Sequence, residues 1–159
     1  MNDEKWMRLA IKGAKKAEAK GQPPVFSVMI KDGKVIAQGE STVGKTLDPS
    51  AHNDKNCIKA ACKKLKSAFD LSGCTMYSTI EPCSMCLGCA AWAGLPKIIF
   101  GAYQKDISKN PYEIKGYSAE KQAKRMNLAN GKKMIVKGGV LQKKCAKLFK
   151  NYCGWVKTK

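Results

Sequence analysis

The chain alternates between segments with a helical period and short apolar segments, and this alternation limits the fold more than any other feature of the sequence. Apolar residues recur at helical spacing over residues 3–20, which predicts a first helix. Two apolar runs follow, Val25–Ile30 and Val35–Ala37, on either side of the pair Asp32-Gly33. An Asp-Gly pair between two apolar runs is typical of a tight hairpin turn. This part of the chain therefore predicts a helix followed by two antiparallel strands.

Helical and strand segments continue to alternate after the hairpin, beyond a polar loop over residues 40–47. The predicted elements are a helix that begins near His52, a strand over Thr75–Ile80, a helix over Cys83–Ala93, a strand over Lys97–Gly101, a helix over Ser118–Asn127, a strand over Met134–Val136 and a helix over Val140–Tyr152. Helices that alternate with strands in this way cover both faces of one sheet. We therefore expect a single domain over residues 1–159 with an α/β fold, a three-layer α/β/α sandwich around a five-stranded mixed sheet.

A chain of 159 residues is long enough for one substantial hydrophobic core. It lacks the long uncharged apolar run of a membrane-spanning helix, and residues 1–20 lack the pattern of a secretory signal. We expect a cytoplasmic protein without membrane contact, whose eight cysteines stay reduced or bind metal instead of forming disulfides. Five of them are interpreted as buried thiols: Cys57, Cys62, Cys74, Cys145 and Cys153.

The formal net charge of +18 favours either an anionic partner or a strongly hydrated surface. Only two of the 30 basic residues are arginines, Arg8 and Arg125, and the lysines are spread along the whole chain. Arginine is the better residue for recognising phosphates and bases, and no basic cluster interleaved with aromatic residues occurs. We therefore expect a lysine-rich solvated surface and a small-molecule partner, with nucleic-acid binding as the alternative.

Three residues that commonly bind zinc stand at the predicted starts of two helices. Cys83 and Cys86 are three positions apart, so both thiolates can face one point, and His52 opens another helix. Three protein ligands leave the fourth position of a tetrahedral zinc ion for water, which is the catalytic arrangement. Cys57 or Cys89 could instead complete a structural zinc site, and a redox pair is a further alternative for the C-x-x-C motif. The spacing favours catalytic zinc.

The residues around these ligands form two motifs. Asp48-Pro49-Ser50-Ala51 leads into His52-Asn53-Asp54, and Glu81-Pro82 leads into Cys83-Ser84-Met85-Cys86. Apart from aspartate in place of glutamate, they match the H-x-E and P-C-x-x-C signature of the zinc deaminases. Over nearly its whole length the chain resembles the cytidine and guanine deaminase-like superfamily. Within it, the chain is most similar to bacterial guanine deaminases, nucleoside deaminases and tRNA adenosine deaminases.

The resemblance implies a cytidine deaminase-like fold that binds Zn²⁺ through His52, Cys83 and Cys86. In such enzymes water activated by the metal attacks the ring carbon that bears the exocyclic amine, and ammonia leaves. Asp54 would carry the protons, and the backbone near Pro82 would position substrate or water. We expect a homodimeric zinc-dependent aminohydrolase that acts on a nucleobase, a nucleoside or a related aminated heterocycle, with a guanine-type substrate favoured. The alternatives are a tRNA adenosine deaminase and a weak or inactive zinc-binding homologue that binds nucleic acid.

Three departures from the family pattern fall where relatives contact substrate or move protons. Asp54 replaces glutamate, and its side chain is shorter by one methylene, on the order of 1.5 Å. Phe26-Ser27 stands in place of a Gly-Ala pair, which predicts a reshaped pocket with Phe26 as one wall, a place in the core being the alternative. Ser41 replaces an asparagine that commonly binds the base. We therefore expect Phe26, Ser41 and Pro82 to contact substrate.

Overall fold

A five-stranded mixed sheet forms the centre of the computed structural model, which describes residues 2–107 and 116–152. The strands are β1 Phe26–Lys31, β2 Lys34–Glu40, β3 Cys74–Ile80, β4 Lys97–Ala102 and β5 Ile135–Lys137. Their order in the sheet is β2-β1-β3-β4-β5. β1 pairs antiparallel with β2 and β3, whereas β3, β4 and β5 run parallel to one another. Parallel neighbours need crossover connections, which the helices after β3 and β4 supply.

Helices cover both faces of this sheet. They are α1 Asp3–Ala19, α2 Val43–Thr46, α3 Asn53–Leu65, α4 Ser84–Trp92, α5 Ala119–Lys124 and α6 Gln142–Lys147. α1 and α6 pack on one face, where the core contains Met7 and Val28. α3, α4 and α5 pack on the other face, where the core contains Ile58 and Leu87. The arrangement confirms the predicted three-layer α/β/α sandwich.

α1 has clear signals at both ends and a continuous buried stripe. The Asn2 side chain accepts a hydrogen bond from the backbone N–H of Lys5, which caps the helix, and Asp3 and Glu4 lie in the first turn near the positive end of the helix dipole. Gly21 follows the helix with a positive φ of 74°. The stripe consists of Met7, Ala10, Ala14 and Ala17. These signals explain why the predicted helix over residues 3–20 differs from the observed one by a single residue.

The hairpin turn between β1 and β2 determines which face each β1 side chain reaches. Asp32 and Gly33 have positive φ values of 49° and 70°, as the two-residue turn predicted from the sequence requires. Neighbouring side chains of a strand point to opposite faces. Phe26 accordingly packs with the core under α1, whereas Ser27 hydrogen-bonds to Asp54 of α3. β1 therefore directs Ser27, and not Phe26, towards the start of α3.

Three segments differ from the sequence-based expectation, one of them α5, which covers Ala119–Lys124 instead of Ser118–Asn127. The polar segment interpreted as a loop contains α2, and α6 covers Gln142–Lys147 instead of Val140–Tyr152. Leu141 has a φ of 53°, a left-handed conformation that a right-handed helix cannot include. α6 therefore begins after Leu141. The extent of the single domain, residues 1–159, stays a prediction.

The cysteines of the described part are free thiols. Cys57, Cys74 and Cys145 are buried, Cys62 is partly buried, and Cys153 lies outside the described residues. Within residues 2–107 and 116–152, no helix has the length and apolar character needed to cross a membrane.

Candidate active site

Two helix starts on the same side of the sheet bring His52 and Cys83 together. Each residue is the N-cap of its helix, with an extended backbone, and its carbonyl accepts the first helical hydrogen bond. Neither side chain caps its helix, so both side chains are available for another partner. Cys86 follows in the first turn of α4 and is buried. The starts of α3 and α4 therefore present three donor side chains to one point.

The donor atoms have the spacing of a tetrahedral zinc site. His52 Nδ1 lies 3.6 Å from Cys83 Sγ and 3.7 Å from Cys86 Sγ, and the three donor atoms lie within 4.8 Å of one another. Zinc binds sulfur at about 2.3 Å and nitrogen at about 2.0–2.1 Å, so a tetrahedral ion separates the two donors by roughly 3.6 Å. The residues present fit Zn²⁺ in both donor chemistry and spacing.

The two candidates for a fourth protein ligand lie outside the cluster. Among the described residues, the metal-binding group consists of His52, Cys83 and Cys86. Cys57 packs in the core against Gly39 of β2, and Cys89, a residue of α4, packs against the edge of the core. A zinc ion with three protein ligands keeps one position for water or substrate, which is the catalytic arrangement.

Hydrogen bonds within the cluster distribute its charge unevenly. The hydrogen bond with Cys86 lowers the pKa of the Cys83 thiol, and the hydrogen bond with His52 lowers it further. The bond between the two thiols also raises the pKa of Cys86, and the bond to Cys83 raises the pKa of His52. These hydrogen bonds therefore favour the thiolate form of Cys83, and a thiolate suits a divalent cation at this point.

Asp54 lies in the first turn of α3, two residues after His52, and its side chain is 2% exposed. Burial raises its pKa to about 6, although hydrogen bonds from the hydroxyls of Ser27 and Ser78 oppose the shift. A carboxyl group with a pKa close to neutrality both accepts and releases a proton readily. The protonation state of Asp54 also responds to the charges on Cys83 and His52. Its position and pKa suit proton transfer beside a metal-activated water.

The predicted substrate-contacting residues have separate locations. Phe26 packs against Gly13 of α1, where its ring leaves no room for a side chain, so it belongs to the core on the face away from the cluster. The structure does not bring Phe26 together with the metal-binding group. Pro82 immediately precedes Cys83, and its carbonyl accepts a 2.6 Å hydrogen bond from the Tyr117 hydroxyl.

Ser41 is buried directly after β2, in a loop held against α3. Asn56 of α3 donates to the carbonyl of Glu40 at 2.9 Å and to the Thr42 hydroxyl at 3.0 Å. These bonds fix the backbone on both sides of Ser41. The role of Ser41 in substrate binding stays a prediction.

Glu81 is a buried carboxylate that the sequence did not assign to a role. Its two oxygens accept hydrogen bonds from the backbone N–H groups of Gln104 and Ala119, at 3.0 and 2.9 Å. It therefore connects the strand end before Pro82 to the segments that follow β4 and begin α5. In the sequence, Glu81 is seen only as the residue before Pro82, and that position does not predict the bridging role.

Replacing Glu81 by alanine is expected to lower the free energy of unfolding by about 3 kcal/mol, because each buried amide left without an acceptor costs about 1–3 kcal/mol. Urea unfolding followed by circular dichroism measures the effect. Glu18→Ala, at an exposed position of α1, is the matched control and should change stability by less than about 0.5 kcal/mol. Equal midpoints for the two variants would contradict the bridging role.

Comparison with known proteins identifies the family. Residues 1–102 match the model of the cytidine and deoxycytidylate deaminase zinc-binding region. The chain belongs to this family. The match includes the segments that carry His52, Cys83 and Cys86, so the zinc predicted from the sequence agrees with both the family and the observed cluster. Members of this family are zinc-dependent hydrolytic deaminases that act on C–N bonds, which confirms the predicted enzyme class.

Individual relatives extend the match along the deaminase chain. It is 30% identical to the tRNA-specific adenosine deaminase of Buchnera aphidicola subsp. Schizaphis graminum (strain Sg) over 150 residues, which cover 94% of this chain and 93% of the relative. It is 34% identical to the guanine deaminase of Bacillus subtilis (strain 168) over 114 residues, or 71% and 72% of the two chains. The structure of a guanine deaminase from Nitrosomonas europaea superposes with a TM-score of 0.79 at 20% identity, covering 94% of this chain and 83% of that one, and supports the fold.

Proposed function

We propose that this zinc deaminase removes the exocyclic amino group from a free aminated heterocycle of guanine type and releases ammonia. The observation that carries the proposal is the three-ligand cluster of His52, Cys83 and Cys86, whose donor atoms lie within 4.8 Å of one another. A buried carboxyl group, Asp54, follows in the adjacent helical turn. This combination is the minimum that hydrolytic deamination of a ring requires.

Each residue has a defined task in this proposal. His52, Cys83 and Cys86 would hold Zn²⁺, and the bound ion would supply a nucleophilic oxygen at neutral pH by lowering the pKa of water. Asp54 takes a proton from the attacking water and delivers it to the departing amine, so that water and the amino compound become a carbonyl compound and ammonia. The backbone at Pro82, oriented by the Tyr117 hydroxyl, lines the approach to the reacting ring.

The location of one lysine-lined groove supports a small substrate. Lys12 and Lys16 of α1, with Lys20 directly after the helix, line a groove of about 460 Å³, and Lys20 Nζ lies 3.7 Å from Glu40 Oε2 at its edge. This groove is on the α1 face of the sheet, whereas the metal-binding cluster is at the starts of α3 and α4. The groove therefore does not guide a polyanion into the metal site. The relationship to the Bacillus subtilis guanine deaminase supports the same substrate class.

A tRNA adenosine deaminase is the second candidate. The relative that carries this name matches over 94% of the chain, and the net charge of +18 favours attraction to a polyanion. This candidate predicts inosine formation in tRNA and binding that weakens steeply as salt rises. For either candidate we propose a homodimer, as the family resemblance implies.

Ammonia release from a panel of compounds tests the proposal. The zinc-loaded protein should contain about one zinc per chain and release ammonia from guanine or from another member of a set that includes cytosine, adenosine, 2-aminopurine and a pterin. A parallel reaction with transfer RNA measures inosine. Inosine without ammonia from any free compound would support the tRNA candidate. Salt-dependent RNA binding without either product would identify an inactive homologue that binds nucleic acid.

A further inference from the structure

The Asp54 carboxyl group is enclosed by polar side chains from β1 and from its own helix. Its Oδ1 atom accepts hydrogen bonds from the Ser27 hydroxyl at 2.5 Å and from the Asn53 side-chain amide at 2.9 Å. Asn53 Nδ2 lies 2.8 Å from the Ser27 hydroxyl oxygen as well, so the three groups form a closed triangle. All three residues are buried, with exposures of 0% for Ser27, 4% for Asn53 and 2% for Asp54.

A second serine supports this triangle from the neighbouring strand. Ser78 of β3 is the cross-strand partner of Ser27, and its hydroxyl lies 3.3 Å from the Asn53 amide. Ser27 and Ser78 are both fully buried. Buried polar groups are costly unless each has partners, and here they satisfy one another around a single carboxyl group. Four polar side chains in one buried space indicate a site shaped for that carboxyl group.

The same arrangement resists a longer side chain at position 54. An additional methylene moves the carboxylate by about 1.5 Å, and Oδ1 is already 2.5 Å from the Ser27 oxygen. Ser27 and Asn53 therefore occupy the space that a glutamate carboxylate would need. Aspartate therefore fits the space that Ser27 and Asn53 leave at position 54, where the family signature has glutamate, and the shorter side chain is not simply too short for its site.

We propose that Ser27 and Asn53 are positioning residues that fix the Asp54 carboxyl group, so that Ser27, Asn53 and Asp54 form one proton-transfer unit built for aspartate. This inference rests on the proposed function. The unit makes a specific prediction about substitutions at position 54. Glutamate, the residue that the family signature carries there, should work poorly in this chain until Ser27 is removed.

The test compares four proteins: the wild type, Ser27→Ala, Asp54→Glu and the double variant. With guanine as the probe, Ser27→Ala should lower kcat about tenfold and leave KM within about twofold, because it misaligns the proton carrier without touching the ring. Asp54→Glu should also lower kcat about tenfold or more. In the Asp54→Glu background the effect of Ser27→Ala on kcat should have the opposite sign. There Ser27→Ala should raise kcat about threefold or more, as coupling between contacting residues allows.

Melting temperature supplies a readout that does not depend on turnover. Asp54→Glu should lower Tm by about 3 °C or more, and adding Ser27→Ala should restore part of that loss. Ser50→Ala is the matched control, because Ser50 also hydrogen-bonds an aspartate, at 2.6 Å, but in the loop before His52. It should leave kcat within about twofold.

Several outcomes would overturn the inference. One is a Ser27→Ala effect of the same sign in both backgrounds, in kcat or in Tm. Another is a rise in the KM of Ser27→Ala with its kcat unchanged. A third is a loss of kcat in Ser50→Ala equal to the loss in Ser27→Ala. If no compound of the panel is deaminated, the proposed function fails, and the sign of the Tm change still decides whether the site is shaped for aspartate.

Discussion

Replacing Cys86 by serine is expected to abolish zinc binding and deamination together. Cys86 supplies one of three donor atoms and is buried in the first turn of α4, and the serine hydroxyl is a much poorer zinc ligand than the thiolate. Loss of a residue that only orients a ligand already costs about 10–100-fold in metal affinity or activity. Loss of the ligand itself should lower kcat/KM by on the order of 10³-fold or more. The melting temperature should fall to that of the chelator-treated protein, because bound metal stabilises the folded state.

Cys89→Ser is the matched control for this prediction. Cys89 lies on the same helix, three residues further along, and is outside the metal-binding group. Atomic absorption should find about one zinc per chain in the control and almost none in Cys86→Ser. Ammonia assays on the same preparations measure turnover. Zinc retained by Cys86→Ser, or lost equally from Cys89→Ser, would contradict the three-ligand site.

Asp54→Asn is expected to remove turnover while leaving zinc in place. The substitution keeps the size of the side chain and one oxygen that can accept hydrogen bonds from Ser27 and Asn53. The amide cannot carry a proton between water and the departing amine. General acid–base catalysis contributes about 10²–10⁴-fold, so kcat should fall by about 10³-fold. KM should change little, because Asp54 acts on the proton and not on the binding of the ring.

Asp48→Asn provides the comparison for Asp54→Asn. Asp48 is also hydrogen-bonded to a serine, but it lies in the loop before His52 and is not enclosed by the sheet. This variant should retain kcat within about twofold and zinc content within error. Turnover retained by Asp54→Asn would remove Asp54 from the mechanism, whereas loss of zinc would show that the substitution had disturbed His52 instead.

The elements with strong local signals were predicted well from the sequence. α1 has a cap and a buried stripe, and the β1–β2 turn has an Asp-Gly pair, so local chemistry determines both. α2 and the start of α6 were not predicted because their bounds depend on single backbone conformations. Leu141 has a positive φ, which cannot be predicted from a leucine side chain. Tertiary packing, and not propensity, determines such positions.

The metal-binding residues were predictable because the ligand types are few and their spacing is diagnostic. Cys83 and Cys86 share one helix start, and the chain offers a single histidine. The surroundings of Asp54 were not predictable in the same way. Ser27 reaches Asp54 across 27 positions of sequence, and a shift of one residue in β1 would have placed Phe26 there. Apolar and small residues occur on both faces of this buried strand, so its pattern does not say which side faces α3.

The position of His52 has a practical consequence for spectroscopy. Because these 159 residues contain one histidine, and it lies in the metal-binding cluster, every imidazole resonance of the chain originates at that cluster. Nuclear magnetic resonance of the two ring nitrogens, without any assignment step, can follow metal loading, competing ions and ligand entry in real time. The protein therefore carries its own reporter at the cluster where we propose that the reaction occurs.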